Sequence, residues 1–211
     1  VGGIAAFFFF KGLLPQIELP IGGEASTGGE GGGQPQAGGG TTPSLGEYKA
    51  GQWVKYRISS QGMELEMEMK VEGFETKEGV NCVKMVYTQG MPSGGKMVMT
   101  IWYDPETGKV VWWKSQIIVG GEVVQEKEGS GAKLPTKRHL PLVKDWGSYK
   151  GKETITVPAG TFECDKYEKK TPTGKMIFWI NTEIPITRMV KMETIVAGEK
   201  MVSMELESYG G

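Results

Sequence analysis

The sequence predicts an all-β protein, an antiparallel meander of about eleven strands that forms a barrel, a half-barrel or a sandwich. Three observations support this fold class. Apolar and polar residues alternate from Trp53 to Ser208. Turn signals rich in glycine and proline separate the alternating runs at hairpin spacing. No stretch of ten or more residues combines helical periodicity with capping residues. An extended N-terminal segment and a glycine-rich tether precede the β domain.

Composition divides the chain into three parts, which are an apolar N-terminal segment (1–21), a Gly-rich linker (22–46) and the β domain (47–211). Ten of the 19 residues from Gly22 to Gly40 are glycine. Such a stretch buries too little apolar surface to offset the entropy of ordering, so we expect a flexible linker. The remaining part is long enough for one domain with a sizeable core.

The N-terminal segment contains the run Phe7 to Phe10, followed by Lys11 and Pro15. Its apolar stretch is shorter than the roughly 18 residues that a membrane span needs. Three interpretations remain open: the tail of a longer transmembrane or signal sequence, an interfacial anchor, or a strand that completes a neighbouring molecule's sheet. Bare phenylalanines would aggregate in water, so something must cover them. The predicted assembly residues are Ile4, Phe7, Phe8, Phe9, Phe10, Leu13, Leu14, Ile17 and Leu19.

The clearest strand is Met63 to Glu72, in which apolar and charged residues alternate without a fault. This pattern is typical of a half-buried antiparallel strand. Two glycines, Gly120 and Gly121, suit a two-residue hairpin turn. The other predicted strands are Trp53–Ser59, Val80–Thr88, Lys96–Tyr103, Val110–Ile118, Glu122–Glu128, Glu153–Val157, Phe162–Lys169, Lys175–Asn181, Ile186–Ile195 and Lys200–Ser208. Residues 129–150 are expected to form one long irregular connection.

One run carries a family resemblance. Val157-Pro158-Ala159-Gly160-Thr161-Phe162-Glu163-Cys164 leads to Ile177-Phe178-Trp179-Ile180, and then to Ile184-Pro185-Ile186 and Val190-Lys191. This order resembles exported bacterial and archaeal β-proteins of the lipoprotein-carrier type, the LolA-like half-barrels. The resemblance covers roughly residues 47 to 210. It implies a half-open barrel outside the cytoplasm that holds a hydrophobic ligand.

Charge and composition narrow the class of partners. The chain has 24 basic and 25 acidic residues, so its net charge is -1. Without a polybasic field we expect no nucleic-acid partner.

Glutamate and lysine greatly outnumber aspartate and arginine, a bias that is typical of proteins from hot environments, and we therefore expect a thermophilic source.

The two cysteines, Cys82 and Cys164, each lie in a strand-like run. In an exported domain they could close a disulfide over a long loop. The alternative is two free, buried thiols, since cysteine is often buried without a partner. Both alternatives are open at this point.

The sequence nominates no catalytic residues, no metal ligands and no cofactor, so we expect a protein that is not an enzyme. The only histidine, His139, lies in the long connection. Glutamates such as Glu64 and Glu66 are spread along a solvent face rather than drawn together for acid–base chemistry. The 12 methionines could offer thioethers to Cu(I), but methionine also fills gaps in a β core, which is the interpretation we prefer.

Two adjacent aromatic residues, Trp112 and Trp113, are candidates for a ligand groove or an interface. In a strand they point to opposite faces, so at least one lies outside the main core. The alternative is that another part of the protein packs over the second ring.

Two functions follow from these patterns. The first is an extracellular or cell-surface protein that self-assembles into a pilus-like filament, its N-terminal segment serving as a donor strand for the next copy of the chain. The second is a membrane-anchored extracytoplasmic domain that binds a hydrophobic ligand or lipid. In both, the N-terminal segment decides how the domain is attached.

Overall fold

A computed structural model describes residues 47–92, 94–131 and 146–211. It confirms the all-β prediction, with eleven antiparallel strands in one open sheet. The strands are β1 (Trp53–Ser60), β2 (Met63–Lys77), β3 (Val80–Gly90), β4 (Lys96–Asp104), β5 (Lys109–Val119), β6 (Glu122–Ser130), β7 (Ser148–Val157), β8 (Gly160–Thr171), β9 (Gly174–Ile180), β10 (Met189–Val196) and β11 (Glu199–Gly210). In the described ranges there is no helix long and apolar enough to cross a membrane.

The sheet order is β6-β5-β4-β3-β2-β1-β11-β10-β9-β8-β7, and every neighbouring pair is antiparallel. The first strand therefore pairs with the last, as in an up-and-down barrel. The two edges are β6 and β7, which are consecutive along the chain. Counting directions through the sheet shows that β6 and β7 run parallel, so a simple antiparallel hairpin cannot join them.

One face of the sheet encloses the core, and we call it the inner face. It carries Val54, Tyr56 and Ile58 of β1, whose exposure is 0%, 0% and 5%. Their partners on β2 are Met69, Met67 and Leu65. Paired residues on neighbouring antiparallel strands point to the same side, so each such row continues around the sheet. The opposite face, which carries Lys55 and Arg57, is the outer face.

The part of the sheet from β7 to β11 curls back on itself. The turn between β7 and β8 reaches β11, where the Ala159 N–H donates a hydrogen bond to the Leu206 carbonyl (3.1 Å). The ring of Phe162 lies 6.3 Å from that of Tyr209. The segment before β10 packs against the inner face, since Ile184 and Ile186 are buried and Thr187 contacts the Tyr56 hydroxyl of β1. Strands β2 to β6 are covered differently, because Tyr48 of the segment before β1 is buried beside Tyr87 of β3.

Strands β2–β6 and β7–β11 repeat one arrangement of four side chains on the outer face, and we call these two groups of strands the first and second halves. In the first half, Cys82 pairs with Glu75, and Lys84 pairs with Trp102. In the second half, Cys164 pairs with Glu153, and Lys166 pairs with Trp179. Strand β1 lies between the halves and pairs with β2 and β11.

Three strand boundaries differ clearly from the prediction, and the first is the end of β2, which continues past Glu72 to Lys77. The strand expected over Ile186–Ile195 begins at Met189, because Ile186 and Arg188 adopt positive φ angles of 63° and 58°, which break an extended strand. The long connection expected over residues 129–150 is shorter, because β6 continues to Ser130 and β7 begins at Ser148. Strand β7 was missed there because its first residues do not alternate in polarity.

Candidate ligand-binding face

The inner face of the first half is lined with apolar side chains in rows that cross the strands. One row runs from Met67 of β2 through Gln89 of β3, Met97 of β4 and Ile117 of β5 to Gln125 of β6. The register of each antiparallel strand pair places these side chains on the same face of the sheet. The row therefore forms a continuous strip across five strands, and we call it the methionine row.

The methionine row is partly accessible to solvent, whereas the β1 residue beside it is not. Its neighbour on β1, Tyr56, is completely buried, and Gln89 is 7% exposed. Met67, Met97 and Ile117 are only half-buried. Apolar side chains that face inward and yet remain accessible to solvent are what a binding surface for an apolar ligand requires.

The neighbouring row, two residues away along each of these strands, is more deeply buried. It contains Met69, Tyr87 and Met99, with exposures of 0%, 6% and 5%. It continues to Ser115 of β5, which is half-buried, and to Lys127 of β6, which is exposed. The apolar lining thus gives way to polar residues at β6, where the face meets solvent.

The outer face is chemically different, because it is covered by ion pairs. Lys55 lies 3.1 Å from Glu66 and 3.3 Å from Glu207, and Lys84 lies 2.9 Å from Glu72. The pKa of Lys55 is raised, and its hydrogen bond to Glu66 is the largest cause. Exposed pairs of this kind stabilise a fold only slightly. They make the outer face polar, in contrast to the apolar inner face.

Trp112 and Trp113 lie on opposite faces of β5, as their adjacency predicts. Trp113 is on the inner face, is 4% exposed, and donates its indole N–H to the Ser130 carbonyl at 3.1 Å. Trp112 is on the outer face and half-buried, with the Lys77 ammonium 5.1 Å from its ring centre. A role of either ring in ligand binding stays a prediction.

The outer-face cluster of the first half joins an indole to a carboxylate and two ammonium groups. The Trp102 N–H donates to the Glu75 carboxylate at 3.1 Å. Lys77 and Lys84 lie 4.9 Å and 5.7 Å from the centre of the Trp102 ring. These are cation–π distances, and the long lysine stems cover the ring.

The corresponding cluster of the second half has another hydrogen-bond pattern. Lys166 pairs with Glu153 at 2.7 Å and lies 5.2 Å from the centre of the Trp179 ring. The Lys166 ammonium is the main reason why the pKa of Glu153 is lowered. The nearby Trp179 indole lowers this pKa too, although its buried N–H has no hydrogen-bond partner of normal geometry among the described residues.

Both cysteines are free and buried, so the structure contains the second of the two alternatives, without the Cys82–Cys164 disulfide. They occupy equivalent positions of the two halves, and five strands lie between β3 and β8 in the sheet. Burial raises the pKa of Cys164 to about 11 and also raises that of Cys82. A thiol with a raised pKa is a poor nucleophile at neutral pH.

The other predicted residues have simpler outcomes. The assembly residues from Ile4 to Leu19, and His139, lie outside the described residues. Within the described ranges no group of three or more His, Cys, Asp or Glu side chains is arranged to hold a metal ion. Sequence reasoning missed Gln89 and Ile117 as members of an inward-facing row, although the alternation of Lys96–Tyr103 already places Met97 and Met99 on one face.

No protein-family model matches the chain, and no curated protein matches it. Solved structures resemble it at low identity. A protein from Parabacteroides distasonis described as a lipoprotein is 15% identical, with a TM-score of 0.40 over 77% of this chain and 96% of its own. An exported protein with a YmcC-like fold from Bacteroides fragilis is 14% identical, with a TM-score of 0.41 over 77% and 97%. MucB in complex with MucA is 11% identical, with a TM-score of 0.43 over 76% of this chain and 50% of MucB. At this level the similarity concerns the arrangement of strands and assigns no activity.

Proposed function

We propose that this chain is an extracytoplasmic binding protein, without catalytic activity, that holds a hydrophobic ligand on the inner face of its open sheet. The observation that carries the proposal is the methionine row, because Met67, Met97 and Ile117 face inward and are still half-buried. Methionine is flexible and polarisable, so such a surface adapts to ligands of varied shape. The place outside the cytoplasm is supported by the apolar N-terminal segment and the long linker.

Adjacent residues of β4 provide a matched test. Met97 faces inward and Val98 faces outward, and both are half-buried. The full chain is titrated with the apolar fluorescent probe N-phenyl-1-naphthylamine. We expect Met97→Glu to weaken probe binding at least about tenfold, because it places a charge in an apolar site. Val98→Glu should leave the affinity unchanged.

Both variants must first be shown to unfold at a temperature close to that of the parent. Equal losses of affinity in Met97→Glu and Val98→Glu would contradict binding on the inner face. So would a parent protein that does not bind the probe.

A second candidate function is assembly by strand exchange, and the free edge of β6 favours it. Val123 and Val124 of this strand are 50% and 60% exposed. In the described part of the chain no strand occupies the place between β6 and β7, whereas β1 occupies the equivalent place between β11 and β2. A single strand antiparallel to both edges would fit between them, and exposed edges of this kind accept strands.

For this candidate the donor is the N-terminal segment of a second copy, residues 4–19. Deleting residues 1–21 should abolish ordered polymers in negative-stain micrographs without affecting probe binding. Polymers that persist after the deletion would rule out this donor. A parent protein that never forms polymers would leave ligand binding as the better function.

A further inference from the structure

Three tyrosines enter the core of the first half from different elements. Tyr48 comes from the segment before β1, Tyr87 from β3 and Tyr103 from β4, with exposures of 3%, 6% and 2%. Tyr87 lies on the inner face beside Met69 and Met99. It is two residues from Gln89 of the methionine row, a distance of about 7 Å along the strand.

The phenol groups of these tyrosines lie close enough to influence each other. Burial is the main reason why the pKa of Tyr87 is raised, and the Tyr48 and Tyr103 phenols raise it further. Burial and Tyr103 likewise raise the pKa of Tyr48. The Tyr48 and Tyr87 phenols therefore remain neutral at physiological pH and can donate hydrogen bonds.

The hydroxyl groups of Tyr48 and Tyr87 are fully buried and have no hydrogen-bond partner among the described residues. Tyr56 shows the contrasting case of a buried tyrosine with a structural role. Its hydroxyl donates to the Met189 carbonyl at 2.8 Å and also contacts the Thr187 hydroxyl. A buried hydroxyl without a partner destabilises the protein, whereas phenylalanine would fill the same space at no such cost.

The charges around this group exclude a strong anion site. Arg188, the cation that lowers the pKa of Tyr48, is paired with Glu47 at 2.7 Å. Its charge is therefore already balanced, and neutral phenols are the donors that remain. Neutral donors in an apolar surrounding suit a neutral acceptor, such as the carbonyl oxygen of an ester.

We propose that the Tyr48 and Tyr87 hydroxyls, with Tyr103 beside them, anchor a neutral carbonyl oxygen of the ligand. The ligand class is then a long-chain ester or a related neutral amphiphile, rather than a pure hydrocarbon or a free fatty acid. This inference rests on the proposed binding of a hydrophobic ligand to the inner face. It adds the polar feature by which one class of ligand is selected.

The test compares ligands that differ in their polar group. Methyl laurate, laurate and tridecane compete with N-phenyl-1-naphthylamine for the full chain and for its Tyr87→Phe and Tyr48→Phe variants. Each variant removes one hydroxyl and keeps the ring. We expect the affinity for methyl laurate to fall about three- to tenfold in each variant, with the affinity for tridecane unchanged. Tyr149→Phe, at a 48% exposed position of β7, is the control and should change neither.

Thermal unfolding gives an independent measurement. Without ligand, Tyr87→Phe should unfold at the same temperature as the parent or a higher one, because an unpaired buried hydroxyl is gone. The stabilisation by methyl laurate should shrink in the variant.

Several outcomes overturn the anchor. One is an ester affinity that does not change in either variant, and another is an equal loss for ester and tridecane. Tighter binding of laurate than of the ester, lost in Tyr87→Phe, would show an anion site instead. In these three cases ligand binding itself survives. If the parent binds neither the probe nor any of the three ligands, the proposed function fails together with the anchor.

Discussion

The two halves of the sheet carry the same outer-face cluster but enclose their inner faces differently. In the second half, the turn between β7 and β8 reaches β11, and Ile184 and Ile186 are buried in the segment before β10. Trp146 packs edge-on against Phe178 there, with ring centres 5.3 Å apart. In the first half, the inner face extends to an unpaired strand and keeps half-buried methionines. Both halves contain fully buried side chains, such as Val83 and Phe178. We infer that the first half differs by adding a half-buried binding surface near its free edge.

The outer-face cluster occurs with the same strand pairing in both halves. In both halves a glutamate pairs with a cysteine, and a lysine pairs with a tryptophan two residues further along the ladder. The registers agree although the surroundings differ. The local pattern therefore sets strand pairing, while residues outside the pattern decide whether a half closes.

The largest expected difference between the halves is in how much stability is lost when an inner-face side chain is truncated. Phe178→Ala removes a side chain that is 1% exposed, and should lower the free energy of unfolding by about 3–5 kcal/mol. Met97→Ala removes a half-buried side chain and should cost only about 1 kcal/mol. Urea denaturation of both variants measures this difference. Equal costs would contradict the assignment of Met97 to an accessible surface rather than to the core.

Much of this sheet could be predicted from alternation alone. Met63–Glu72 alternates because one face of β2 is buried, and the structure extends this strand to Lys77. The beginning of β7 could not be predicted, since a bulge between Tyr149 and Gly151 interrupts a strand at the edge of the sheet. The start of β10 depends on positive φ angles that no alternation reveals.

The candidate site was harder to predict than the strands. The methionine row depends on registers between four pairs of strands, and a shift of one residue would turn its members outward. The group around Tyr87 depends on Tyr48, which precedes the first strand and has no periodic pattern. Both features arise from contacts between residues far apart in the chain, which local patterns do not specify.

A smaller difference is expected when each cluster tryptophan is replaced by phenylalanine. Trp102→Phe loses the hydrogen bond to Glu75, whereas the Trp179 N–H has no such bond to lose among the described residues. Both variants lose similar ring area and cation–π contact. We therefore expect Trp102→Phe to cost about 1 kcal/mol more than Trp179→Phe. Urea denaturation at pH 7 measures the difference, and Glu75→Gln in the Trp102→Phe background should have little further effect.

The smallest expected difference between the halves concerns how their ion pairs contribute to stability as the pH falls. The pKa of Glu153 is lowered mainly by Lys166, which lies 2.7 Å away. Because the pKa is lower in the folded protein, the pair stabilises the fold above the unfolded pKa of about 4.3. This contribution is lost as the pH falls through the folded pKa. Lys166→Gln should raise the pKa of Glu153 and remove about 0.2–1 kcal/mol of stability at pH 7, with a smaller loss at pH 3.

Lys84→Gln is the matched control, because Lys84 occupies the equivalent position of the first half and pairs with Glu72 instead. It should leave the pKa of Glu153 unchanged. Carbon-detected NMR titration of the glutamate carboxyl groups follows Glu153 directly in both variants. If Lys84→Gln shifted the Glu153 pKa as much as Lys166→Gln, the two clusters would be electrostatically coupled through the sheet. An unchanged pKa in both variants would instead assign the lowered value to the other neighbours of this carboxylate, Trp179 and Lys191.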